Sequence, residues 1–184
     1  MAGRNLNIAL IAHLADNKPS SENRRPWVQT FTNNLKIRLT QLVGNQVYIE
    51  EIYPQELSGG AQISKDKEYH IILPVYSKWF LQSEDCIRVT QEIQTKYVSK
   101  PSKCLALLRR NIEQSRFPQA IYLDNRMDFW SWNEEIERVE GFNPDDSTTE
   151  KFFWAKLDDC ANDIYAFWVN NFQKKKKTKK SINS

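Results

Sequence analysis

Apolar residues along this chain alternate between short solid runs and spaced stripes, and that alternation predicts the architecture. Residues 6–13 (LNIALIAH) are almost continuously apolar, as expected of a parallel strand covered on both faces. A polar loop with Pro19, Ser20, Ser21 and Arg24 follows. Trp27, Phe31, Leu35, Leu39 and Leu42 then recur at helical spacing, with Pro26 suited to the first helical position and Gly44 to the end. Residues 46–52 predict a second short strand. Residues 54–60 predict a loop in which Gly59 and Gly60 permit unusual backbone angles or close approach of another group.

Residues 69–76 (YHIILPVY) form a third apolar run. Ser83 is placed to cap a following helix, with Glu84 and Asp85 in its first turn favouring the helix dipole. Cys86, Val89, Ile93 and Tyr97 make the inward stripe of that helix. Residues 103–108 and 119–123 predict a fourth and a fifth strand. Residues 125–147 read as polar and irregular, apart from a short helix around 130–139. Ser147 or Thr148 can cap a last helix, whose Phe153, Leu157, Ala161, Ile164 and Trp168 share one face. Strands alternating with helices predict one α/β domain over residues 1–172. The expected form is a flavodoxin-like three-layer fold with a mostly parallel five-stranded sheet of order 2-1-3-4-5.

Charge changes this picture only at one end. The formal net charge is +3, but Lys174 to Lys177, Lys179 and Lys180 contribute six of the 26 basic residues. The remainder is mildly acidic, with 20 basic against 23 acidic residues. Residues 173–184 therefore read as a disordered lysine-rich tail. It lacks aromatic or glycine interleaving, so specific nucleic-acid recognition is not expected. No apolar run is long enough for a transmembrane segment, and the apolar start lacks a charged leader and a cleavage site. Three widely spaced cysteines (Cys86, Cys104, Cys160) and two histidines support neither a disulfide framework nor a metal site, which fits a cytoplasmic protein.

Several chemistries lack their residues. No G-x-G-x-x-G follows the first strand and no G-x-x-x-x-G-K-[ST] occurs, so two phosphate cradles are missing. The third strand ends Pro74-Val75-Tyr76, without the aspartate of a phosphoacceptor domain. No G-x-S-x-G presents a nucleophilic serine. Position remains informative. In a 2-1-3-4-5 sheet, ligands bind outside the carboxyl ends of strands 1 and 3, where the winding reverses. Those ends carry Ala12, His13 and Leu14 on one side and Tyr76, Ser77 and Trp79 on the other. The helix after strand 3 can add a carboxylate, with Glu84 in its first turn and Glu92 two turns further on.

These residues together resemble a Toll/interleukin-1 receptor (TIR) domain of the enzymatic bacterial branch. IALIAH-x-x-D, ending at Asp16, with Trp27-Val28 opening the first helix, is similar to the family's first box. Leu57-x-Gly59-Gly60 falls where the family has its BB loop. The third strand, followed by Ser77, Phe80-Leu81, Ser83-Glu84 and Cys86, is similar to a further signature that ends in Glu92-Ile93. Asp85 stands where the family usually has tryptophan, and reaching Glu92 requires a small insertion.

The resemblance implies cleavage of the nicotinamide–ribose bond of NAD by a glycohydrolase or ADP-ribosyl cyclase of prokaryotic antiviral defence. NAD would be substrate, with no separate cofactor and no metal. It implies Glu92 as the catalytic carboxylate, with Glu84 as competitor. Ala12, His13, Leu14, Gly59, Gly60, Tyr76, Ser77 and Trp79 would line the substrate site. It also implies activation by self-association through TIR–TIR contacts, and a separate sensor or effector protein. Two other readings stay open: a non-enzymatic TIR interaction module, and a nucleoside deoxyribosyltransferase-like enzyme with the same layout.

Overall fold

A computed structural model describes residues 5–19, 25–44, 46–57, 67–112, 117 and 125–173. Strand β1 (Leu6–Ile11) is followed by a 3-10 turn (Leu14–Asn17) and helix α1 (Trp27–Val43). Strand β2 (Val47–Ile52), the single turn α2 (Pro54–Leu57) and strand β3 (Tyr69–Tyr76) come next. Helices α3 (Lys78–Gln82) and α4 (Glu84–Lys96) lead to strands β4 (Val98–Cys104), β5 (Ala106–Leu108) and β6 (Arg126–Asp128). Strands β7 (Trp130–Asn133) and β8 (Arg138–Gly141) precede helix α5 (Glu150–Trp168), which runs on into a π-helical turn, Val169–Gln173.

The main sheet has the order β2-β1-β3-β5-β6, with β4 also paired to β3, and every pairing in it is parallel. This is the expected flavodoxin-like arrangement. The solid apolar run of β1 divides by the two-residue period of a strand. Leu6, Ile8 and Leu10 enter one core with α1 and α5, whereas Ala9 and Ile11 enter a second core with α4. β3 does the same, sending Ile71, Leu73 and Val75 to the first core and Ile72 and Tyr76 to the second. Each such buried aliphatic side chain contributes about 1.5–3 kcal/mol.

The first core is anchored by aromatics at the start of α1. Trp27 stacks on Phe31 (5.3 Å between ring centres) and meets Phe129 and Phe153 edge-on at 5.3 and 5.8 Å. Pro26 stands just before α1, as its cap residue. Gly44 closes the helix in the left-handed region (φ 65°), where a side chain would be strained. Ser83 caps α4 as its position predicts, accepting from the Cys86 N–H at 3.3 Å.

The second half departs from expectation in three places, and a fourth expectation there falls outside the described residues. The strand expected over 103–108 is broken at Leu105 into β4 and β5, both held by β3. β4 begins earlier, at Val98, in a polar sequence whose Lys100, Pro101 and Ser102 are exposed, so no apolar alternation announces it. The fifth strand expected at 119–123 lies outside the described residues, and β6 occupies the edge beside β5.

The helix expected around 130–139 is instead the antiparallel hairpin β7–β8, pairing Trp130 with Gly141 and Trp132 with Val139. Its alternation of Trp130 and Trp132 with Ser131 and Asn133 is a strand period. Phe129, Trp132, Ile136 and Val139 also recur at helical spacing, so the pattern of this stretch fits both periods and the pairing of β7 with β8 decides between them. Lastly, α5 is capped at Thr149, not at Ser147 or Thr148. Thr148 turns its hydroxyl to Asp146 Oδ1 at 2.7 Å, and the Thr149 Oγ1 accepts from the Asn143 N–H at 3.1 Å. No helix among the described residues is long and apolar enough to cross a membrane.

Candidate functional site at the carboxyl edge of the sheet

Parallel strands deliver their carboxyl ends to one edge, and this edge collects the polar residues that follow β1, β3 and β5. Asp16 lies in the 3-10 turn after β1 and is only 3% exposed. Ser77, directly after β3, donates its hydroxyl to Asp16 Oδ2 at 2.6 Å and accepts from the Phe80 N–H as cap of α3. Arg109, directly after β5, donates from Nη1 to Asp16 Oδ1 at 3.1 Å and to the Asp16 carbonyl at 3.3 Å. Three strand ends are thus tied to one buried carboxylate, at the point where the winding reverses.

The electrostatics follow from burial. Desolvation pushes Asp16 above its ordinary 3.8, while the Ser77 hydrogen bond and the Arg109 charge pull it back. Desolvation likewise lowers Arg109 from its ordinary value, and Asp16 opposes that shift. The guanidinium carbon sits 4.7 Å from the centre of the Trp27 ring. Trp27 is itself fixed by donating from Nε1 to the Phe142 carbonyl at 3.0 Å. The hairpin also reaches this corner: a Cβ on Gly141 would lie 3.2 Å from the Arg109 carbonyl oxygen.

The remaining predicted residues divide sharply. His13 accepts from the Ala15 N–H through Nδ1, and its ring faces Trp79 at 6.3 Å with 26° between planes. Trp79 is 44% exposed, and the Lys78 ammonium lies 4.4 Å from its ring centre. The Leu14 N–H is held by Gln55 Oε1 at 3.2 Å, and Gln55 Nε2 reaches Ser83 Oγ and Cys86 Sγ. Ala12 and Tyr76 are wholly buried, Tyr76 packing edge-on against Phe80 and Phe117. Gly59 and Gly60 lie outside the described residues.

The two glutamates sit elsewhere on α4. Glu84 is exposed in the first turn. Glu92 lies eight residues on, about 12 Å along the helix axis. Its carboxylate meets Lys96 Nζ at 3.2 Å and Arg88 Nη1 at 3.9 Å, both on the same helix. Cys86 is buried and its thiol is pushed up by desolvation. Among the described residues no group of histidine, cysteine and carboxylate side chains could hold a metal. A separate shallow cleft of about 170 Å³ runs along Asn7, Tyr48, Glu50 and Tyr69. Its Glu50 already takes both Lys67 and the Tyr69 hydroxyl.

Position alone pointed to the carboxyl edge, His13, Ser77 and Trp79, but not to the part played by Asp16 and Arg109. Asp16 was visible as the acid three residues after His13. Arg109 stands beside Arg110 in a polar stretch, and only its contact with Asp16 distinguishes it. Comparison with family models, curated proteins and solved structures finds no match for this chain.

Proposed function

We propose that the protein cleaves the nicotinamide–ribose bond of NAD in the crevice outside β1 and β3. The observation that carries this reading is the convergence of His13, Asp16, Ser77 and Trp79 on the reversal point of the sheet. The exposed Trp79 face offers a platform for a flat heterocycle. Heterolysis of the C1′–N bond sends its electron pair to nicotinamide and leaves an oxocarbenium-like ribose. A carboxylate beside that centre stabilises the charge. Water then adds to C1′ and releases a proton, giving ADP-ribose. In cyclisation a nucleophile of the same substrate takes the place of water.

In this reading Glu92 supplies the carboxylate, and because it lies about 12 Å along α4 from Glu84 the substrate extends from the crevice along that helix to meet it. The Glu92 partners Lys96 and Arg88 are exposed neighbours on one helix. Such pairs are worth at most about 1 kcal/mol and exchange readily for a ribose hydroxyl. Assembly of copies activates the enzyme, with a separate sensor or effector protein as partner. The test is chromatographic detection of nicotinamide after incubating the protein with NAD, with and without a crowding agent. Release is expected in the wild type and in Glu84→Ala, and its loss in Glu92→Ala. Absence of release under every assembling condition defeats the proposal.

That negative result would favour an interaction module. Trp132 (57% exposed) and Ile136 (45%) on the hairpin speak for it. Base exchange on deoxynucleosides without action on NAD would instead indicate a deoxyribosyltransferase-like enzyme.

A further inference from the structure

Arg109 is more constrained than a structural ion pair requires, and it is only partly used. Its Nη1 serves Asp16 Oδ1 and the Asp16 backbone carbonyl, and the guanidinium lies against the Trp27 ring. Its backbone N–H extends the β3–β5 ladder to the Tyr76 carbonyl at 3.3 Å, fixing the stem as well. Nε and Nη2 make no hydrogen bond among the described residues, and neither is enclosed as a buried unpaired atom. The side chain is 28% exposed. Nη1 and the stacked ring plane thus hold the guanidinium, and its Nε–Nη2 edge keeps solvent-accessible donors. A planar fork of that kind matches two oxygens of a phosphate.

The surroundings narrow the ligand further. Ser77, which donates to the other Asp16 oxygen, begins the turn that carries Trp79, and Trp79 faces His13. An aromatic surface and a guanidinium edge therefore flank a single carboxylate. The exposed Arg110 adds a second positive charge next to the first. We propose that Arg109 is a phosphate-binding residue and that this edge of the sheet takes a nucleotide through its phosphates. The assignment rests on the same crevice as the NAD reading, but not on cleavage of any bond.

Isothermal titration of the full chain with ADP, adenosine and inorganic pyrophosphate tests it. ADP is expected to bind more tightly than adenosine, and pyrophosphate to displace it. Arg109→Lys keeps a charge beside Asp16 but loses the fork, and should weaken ADP about 10- to 100-fold while leaving adenosine unchanged. Arg110→Gln should cost less than about fivefold. The proposal is overturned if ADP and adenosine bind alike. It is equally overturned if Arg109→Lys binds ADP as the wild type does, or if Arg110→Gln loses as much as Arg109→Lys. Should Arg109→Lys not fold by circular dichroism, displacement of ADP by pyrophosphate on the wild type decides. ADP binding without nicotinamide release removes only the cleavage reading. NAD cleavage with an unchanged KM in Arg109→Lys removes only the phosphate assignment.

Discussion

Two carboxylates of this protein each sit in cationic company, and their settings could hardly differ more. Asp16 is buried at the junction of three strand ends and answers to residues 61 and 93 positions away. Glu92 lies on the outer part of α4, and its partners are both four residues away on the same helix. The first pair of contacts exists only because the chain folds. The second would form in any isolated helix of this sequence. Burial sets the consequence: removing one partner of a buried ion leaves the other uncompensated, whereas an exposed pair exchanges its partner for water.

The largest expected effect comes from leaving Asp16 without its cation. Arg109→Met should lower unfolding free energy by about 3 kcal/mol in urea titrations. A change below about 1 kcal/mol would mean that Asp16 is solvated after all, and the contrast with Glu92 would fail. Ser77→Ala removes both a hydrogen bond to the carboxylate and the cap of α3, and about 1–2 kcal/mol is expected.

Acidity sharpens the comparison. The folded state raises the pKa of Asp16, so between its ordinary 3.8 and the raised value the native chain binds more protons than the unfolded one. The Asp16 contribution is therefore fully present below that window and declines as pH rises through it. Paired melts of wild type and Asp16→Asn should show the wild type losing ground to the variant as pH rises above the ordinary 3.8 of a free aspartate. A constant difference would place the carboxylate in a water-like setting. Gly141→Ala brings a Cβ to 3.2 Å from the Arg109 carbonyl and should cost about 1 kcal/mol by the same melts. Smallest is Glu92→Gln, expected within about 0.5 kcal/mol at low salt and nothing at 1 M salt. The Arg109→Met cost should persist in that salt.

How much could be read beforehand depended on the range over which each residue finds its partners. β1 and β3 announce themselves as solid apolar runs, and α1, α4 and α5 as stripes, because burial on a regular element leaves a period in the chain. Ser83 and Gly44 were legible for a related reason: a cap bonds within four residues of itself. β4 carries no such period, since its exposed Lys100, Pro101 and Ser102 meet solvent and its strand character comes from β3 alongside. The hairpin did carry a period, but one too short to prevail over a helical reading of a charged stretch.

The order of layers and strands, and hence the edge where a ligand would lie, followed from local pattern plus the rule for parallel crossovers. Tertiary structure alone decided which side chains meet at that edge. Nothing within a few residues of Asp16, Ser77 or Arg109 announces their contact. A carboxylate and a guanidinium become a site only when three strand ends exclude water around them, and that exclusion is a property of the assembled sheet.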